Sequence, residues 1–228
     1  MAGVTTAQFQ RARSPQQQEQ RRAAILATAR GMLDRQPPAE ISLRELSRQV
    51  GLSKSNLVRY FPTREAVFLA VLTEDWDAWL AAVEAALPAA GGPAGEQRVA
   101  AAVAGTLARH ERLCALLASC QAVLEHNVPA ATAREFKAAA LARLTRLAAL
   151  VGAALPQLSE AQGFEFAGIT WALTAGAWPM ARPPEALAAI LAEPAFAPMR
   201  VDFTAAMTRA LALVLSGLTR QQQAGAPR

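Results

Sequence analysis

From Ser42 to Arg64 the chain reads SLRELSRQVGLSKSNLVRYFPTR, a run that admits little besides two short helices joined by a sharp turn. Ser42 followed three residues later by Glu45 is a capping-box pattern, so a helix starts there with Leu43, Leu46 and Val50 on its buried side. Gly51 permits the positive φ that an abrupt reversal needs, and Leu52 returns to the core. Ser53 caps a second helix over Lys54 to Phe61, which Pro62 must end. Leu57 and Phe61 lie one turn apart and anchor it, leaving Lys54, Ser55, Asn56, Arg59 and Tyr60 outward. Thr63 caps the next helix. Arg64 in its first turn opposes the helix dipole, and a nearby phosphate explains it better than helix stability does. This is the layout of a helix-turn-helix that reads DNA.

The charge distribution agrees. Residues 1–64 hold 11 Arg and Lys against 4 Asp and Glu, whereas the remainder holds 12 against 14, so the basic part is the helix-turn-helix part. That asymmetry is the footprint of phosphate binding, and it argues against a membrane-surface role spread over the whole chain. Apolar residues make up 53%, Ala is abundant, and no run alternates β-branched residues, so an all-α fold is expected. The two cysteines, Cys114 and Cys120, are six apart and form neither a disulfide framework nor a metal spacing. His110 and Cys114 are one turn apart, but two ligands are too few for a metal site. No Gly-x-Ser-x-Gly and no Cys-His-Asp set is present, so an enzyme is not expected and no cofactor is called for. No signal peptide opens the chain, and the charge-free run from Phe166 to Ala181 is short for a span and carries Pro179. A soluble cytoplasmic protein is expected.

The run GLSKSNLVRYFPTREAVFLAVL resembles the DNA-binding signature of the tetracycline-repressor (TetR) family, and RRAAILATARGMLDRQPPAEISLRELSRQVG resembles that family's first two helices. The resemblance covers roughly residues 18–72. Two departures stand out: Val58 where the family usually has Tyr, and Gln36-Pro37 in place of a usual Gly. The resemblance implies an N-terminal three-helix DNA-binding domain followed by a larger helical ligand-binding and dimerisation domain. The expected divisions are a disordered arm over 1–14, the DNA-binding domain over 15–72, the effector and dimerisation domain over 73–220, and a tail over 221–228.

Expected DNA contacts divide by chemistry. Lys54, Ser55, Asn56 and Arg59 suit base edges, with Lys54 and Arg59 also able to take phosphate. Tyr60, Ser42, Thr63 and Arg64 suit phosphate, and Arg44 and Arg48 suit either; Ser53 caps the recognition helix beside them. The alternative is a solvated charged face.

Further along, Val67, Phe68, Val71, Leu72, Trp76, Trp79, Leu80, Val83 and Leu87 give one long periodic helix, and PAAGGPAG from Pro88 breaks the chain. Helices are expected over about Glu96 to Arg109, Glu111 to His126, Pro129 to before Pro156, and Ser159 to Trp178, with a short one near Leu187 to Leu191 and a last one through Phe203 and Leu218. The resemblance implies an effector pocket, for which Trp79, Val83, Leu113, Leu117, Gln121, Leu124, Phe136 and Trp171 are candidate lining residues; each is otherwise ordinary core. It also implies a four-helix dimer interface from the last two long helices, with Gly168, Ala172, Ala175 and Gly176 on one and Met207, Leu211, Val214 and Leu218 on the other. Two recognition helices one DNA turn apart then read a palindrome. The expectation is a homodimeric repressor on a double-stranded DNA operator, released by a small hydrophobic effector. The alternatives are an effector-independent dimeric DNA-binding protein and a small-molecule-binding helical protein.

Overall fold

Caps and breakers place the helix ends, and packing decides which sides are covered. The computed structural model describes residues 15–87, 89, 94–120 and 124–225, and within them the chain is all α with no strand. The expected N-terminal arm, most of the PAAGGPAG linker, and Gln121 lie outside the described residues. The expected DNA-binding unit comprises α1 (Pro15–Leu33), α2 (Leu43–Val50) and α3 (Lys54–Val58). α4 (Arg64–Ala86) leads into α5 (Gly95–Ala108), α6 (Glu111–Ser119), α7 (Ala130–Ala154), α8 (Glu160–Ala181), α9 (Glu185–Ala192) and α10 (Phe203–Gly225).

At about 1.5 Å per residue α4 is about 35 Å long and runs through the centre, packing on α1 at one end and on α5, α6 and α7 beyond. Its expected stripe is buried from Val67 to Val83, and the core continues unbroken from Ile25, Leu46 and Leu57 to Leu107, Phe166 and Leu211. α10 packs chiefly on α5 and α8. α8 opens with a full capping box: the Ser159 hydroxyl accepts the Gln162 amide, and the Gln162 side chain accepts from the Ser159 amide.

Four extents differ from expectation. α1 ends at Leu33, before the prolines, and a 3-10 turn at Pro38–Glu40 leads into α2. α3 stops at Val58, so Arg59 and Tyr60 occupy a turn rather than a second helical turn. α6 ends at Ser119, and a 3-10 turn at Glu125–Asn127 precedes α7. α8 passes through Pro179 to Ala181. Its all-round apolar sequence is buried on one side only, through Phe166, Ala167, Thr170, Thr174 and Trp178; Phe164, Ala172, Gly176 and Met180 face out.

Candidate nucleic-acid interface

Local chemistry builds the helix-turn-helix as the residues require. The Ser42 hydroxyl accepts the Glu45 amide at 3.1 Å, and the Ser53 hydroxyl accepts the Asn56 amide at 3.2 Å. Between the helices Gly51 sits at φ 76°, and its amide donates back to the Arg48 carbonyl at 3.2 Å. Any side chain there would be strained. Leu46 and Leu57 are fully buried and Phe61 nearly so, which fixes the angle between α2 and α3.

On the outer side Arg44, Arg48, Lys54, Ser55, Asn56 and Arg59 are all exposed. Ser42, Arg44, Arg48, Ser53 and Lys54 share one open surface groove. Among the described residues, the side chains of Arg44, Arg48, Lys54, Asn56 and Arg59 have no hydrogen-bond or ion-pair partner. Several arginines elsewhere are ion-paired instead: Arg30 with Glu74, Arg143 with Asp77, Arg146 with Glu84 and Arg182 with Glu111. A patch of unpaired donors on a rigid two-helix support can take phosphate oxygens and base edges.

Arg64 does not belong to that patch. Its Nη1 donates to the carbonyls of Ile41 at 2.6 Å and Ala39 at 3.3 Å, and its Nε pairs with Glu65 at 2.7 Å. The cation at a helix N-terminus is explained by its own chain: it ties the start of α4 to the segment before α2. Thr63 accepts the Ala66 amide as the α4 cap. Tyr60 is half-buried and lines a cleft of about 370 Å³ against α7, together with Arg22, Leu69, Thr73 and Phe136. Arg22 also lies over the Phe61 ring, 4.3 Å from its centre, a brace between α1 and the segment after α3 that spacing alone did not suggest.

The junction between the two halves of the molecule was also missed. Arg112 of α6 forks onto Asp75 of α4 at 2.7 and 2.8 Å and reaches Asp34, just beyond α1, at 2.5 Å. These carboxylates hold the guanidinium more firmly protonated than usual, the Asp75 hydrogen bonds being the largest cause. The available signal was Asp75 itself, a carboxylate on the apolar stripe between Leu72 and Trp79, where burial demands a partner. A second cleft of about 480 Å³ opens beside this junction, lined by Pro38, Arg112, Leu116, Trp178 and Arg182 among others.

The expected effector-pocket residues divide. Trp79, Val83, Leu113, Leu117 and Leu124 are at most 3% exposed and pack as core. The Trp79 indole N–H donates to Thr106 Oγ1 at 3.0 Å, and that hydroxyl donates on to the Val103 carbonyl. Phe136 lines the first cleft and stands edge-on to Trp171, which stands edge-on to Trp76 with centroids 4.9 Å apart. The indole N–H groups of Trp76 and Trp171 are buried without a partner among the described residues.

Of the expected dimer residues, Gly168, Ala172, Ala175 and Gly176 are exposed or half-buried on α8. Met207, Leu211 and Leu218 are instead buried inside their own subunit, while Val214 is half-buried. The apolar stripe of α10 is consumed by α5 and α8, so its outward side is centred on Leu213. Both thiols are buried: Cys114 donates to the Leu107 carbonyl at 3.4 Å, and burial first, with Glu111 adding, pushes its pKa up to about 12. His110 Nδ1 donates to the Thr106 carbonyl at 2.8 Å.

A family model described as "Bacterial regulatory proteins, tetR family" matches residues 25–71, and one described as "Tetracyclin repressor-like, C-terminal domain" matches residues 73–222. The HTH-type transcriptional regulator EthR of Mycobacterium tuberculosis is 43% identical over 54 residues, 24% of this chain and 25% of that protein. The regulator RutR of Escherichia coli K12 is 44% identical over 43 residues, 19% and 20% respectively. The chain thus spans about a quarter or less of the length of the curated relatives it matches. A TetR transcriptional regulator from Rhodococcus sp. RHA1 superposes with a TM-score of 0.55 at 15% identity, covering 88% of this chain and 98% of that one. The TetR family repressor AlkX from Dietzia sp. superposes with a TM-score of 0.51 at 14% identity, covering 90% and 97%. At such identities these two carry the fold alone.

Proposed function

Because the chain belongs to the TetR family, and so is a helix-turn-helix transcriptional regulator and not an enzyme, we propose that it is a cytoplasmic homodimeric repressor of a palindromic operator. The observation that carries the DNA reading is the cluster of unpartnered Arg44, Arg48, Lys54, Asn56 and Arg59 on the exposed side of α2 and α3. Arg59 and Asn56 read bases, and Arg44, Arg48 and Lys54 hold phosphates. Arg64 holds the scaffold and drops out of the contact set.

The dimer forms through the outward sides of α8 and α10. A Cβ placed at Gly168, Gly176 or Gly217 would meet open space, so neighbouring helices can approach closely there. Leu213, 61% exposed, supplies an apolar anchor on α10. The effector is a small apolar molecule with an acceptor oxygen, received by the unpartnered indole N–H groups of Trp76 and Trp171 between α4 and α8. Its arrival shifts α4 and thereby the spacing of the two recognition helices.

Selection of bound duplexes from a random pool at two salt concentrations tests the DNA reading. A palindrome with half-sites about one helical turn apart is expected; failure to enrich any sequence counts against it. The close packing of Trp79, Val83, Leu113 and Leu117 favours a second reading, a dimeric DNA-binding protein without an effector. A screen of apolar oxygen-bearing compounds for release of the selected duplex separates the two, since the second reading expects no release by any of them.

A further inference from the structure

Between α8 and α10 the chain forms α9 and a 3-10 turn at Pro194–Met199, and neither contains a buried residue. The segment is nonetheless apolar. Leu187 is 47% exposed, Ile190 46%, Phe196 37% and Met199 65%. α9 packs chiefly on that turn rather than on the body of the subunit. A helix of two turns is marginal alone in water, and four large wet side chains gain stability only when something covers them. Pro183, Pro184, Pro194 and Pro198 restrict the backbone around α9, so the segment stands as a preformed arm.

The charges on and beside the arm are Arg182, Glu185, Glu193, Arg200 and Asp202, near balance and without a basic cluster. Nucleic acid and anionic lipid both select Lys and Arg, so this composition fits neither and suits an apolar protein face. One such face adjoins the arm's root: Met180, 61% exposed, ends the outward side of α8, which continues through Gly176 and Ala172 and is matched on α10 by Leu213. We propose that the arm of one subunit packs across the outward α8–α10 side of a second copy, so that each subunit clasps its partner. This inference rests on the dimer reading above. Two-fold symmetry repeats the contact, adding two apolar arms to an interface in which Met180 and Leu213 stand among small residues.

The full-length chain and its L187S/I190S/F196S variant are compared by sedimentation over a concentration series. The substituted side chains support little of their own subunit, so helical circular dichroism stays unchanged while the dimer dissociation constant rises at least tenfold. In parallel, peroxide oxidation of Met199 is followed by mass spectrometry in the wild-type dimer and in a free peptide of the same local sequence; at least fivefold slower oxidation in the dimer is expected. An unchanged dissociation constant with Met199 oxidised at the peptide rate overturns the arm and leaves the dimer standing. A wild-type chain that is monomeric throughout overturns both. Should the variant lose its helical signal, the Met199 rate in the wild type decides alone. The stretch Pro194–Gln221 is long and apolar enough to cross a membrane by length and composition, so flotation with phosphatidylcholine vesicles is run alongside. Flotation of the wild type that the variant loses assigns the arm to lipid and overturns the proposal.

Discussion

Arg59 and Arg64 are five residues apart and chemically identical, yet their surroundings give them opposite work. Arg64 is consumed by the Ile41 and Ala39 carbonyls and by Glu65, whereas Arg59 is exposed at the end of α3. Replacing Arg59 or Asn56 by Ala lowers the ratio of operator to random-DNA affinity by about 1–3 kcal/mol in a binding titration; an unchanged ratio removes α3 as the reading element. Arg44→Ala or Lys54→Ala weakens all DNA alike and lowers the salt slope by about one, while Arg64→Ala leaves that slope alone and lowers the melting temperature. Cys114 gives a prediction in pH. Its folded pKa of about 12 stands above the ordinary 9.0, so the unfolded chain loses the proton first. The thiol's contribution to stability is therefore whole below pH 9 and declines as pH rises toward 12. At pH 8 a thiol reagent labels the native protein far more slowly than the chain in urea; equal rates contradict the burial.

Among the helices α4 has the pivotal position, because a single rigid rod begins at the DNA-binding unit and ends deep in the C-terminal half. Arg112 locks that rod to both neighbours through Asp75 and Asp34. Asp75 is 8% exposed, so removing its partner strands a nearly buried carboxylate. Arg112→Gln is expected to cost about 3 kcal/mol in urea unfolding, the low end for a broken buried pair because the Arg112 side chain keeps a quarter of its surface. Asp75→Asn combined with Arg112→Gln recovers part of that loss, and Arg112→Lys does not restore it, since an ammonium cannot make the two-pronged contact. Strict additivity of the two substitutions rejects the junction as a coupled unit.

At the scale of the molecule, a regulator that reads a palindrome needs two copies held at fixed spacing. Ala172→Asp sets two carboxylates near the two-fold axis of the proposed interface; light scattering should then report a monomer, and affinity for the full palindrome should fall at least tenfold. A surviving dimer moves the interface away from α8. The all-helical class, the Ser42, Ser53 and Thr63 caps, the Gly51 turn and the exposed basic side of α2 and α3 were legible in local pattern, because caps, turns and periodicity act over a few residues. Local pattern also indicated the stripe of α4. Which apolar side of a helix lies inside depends on packing between helices distant in the chain. Met207, Leu211 and Leu218 form a good interface stripe in isolation, but α5 occupies it within the same subunit. The same holds for charge: whether an arginine meets a phosphate or a carbonyl 23 residues away is set by the packing of separate helices. Local pattern specifies what a helix can bury; the partner that does the burying comes from elsewhere in the chain, and its position is a property of the whole fold.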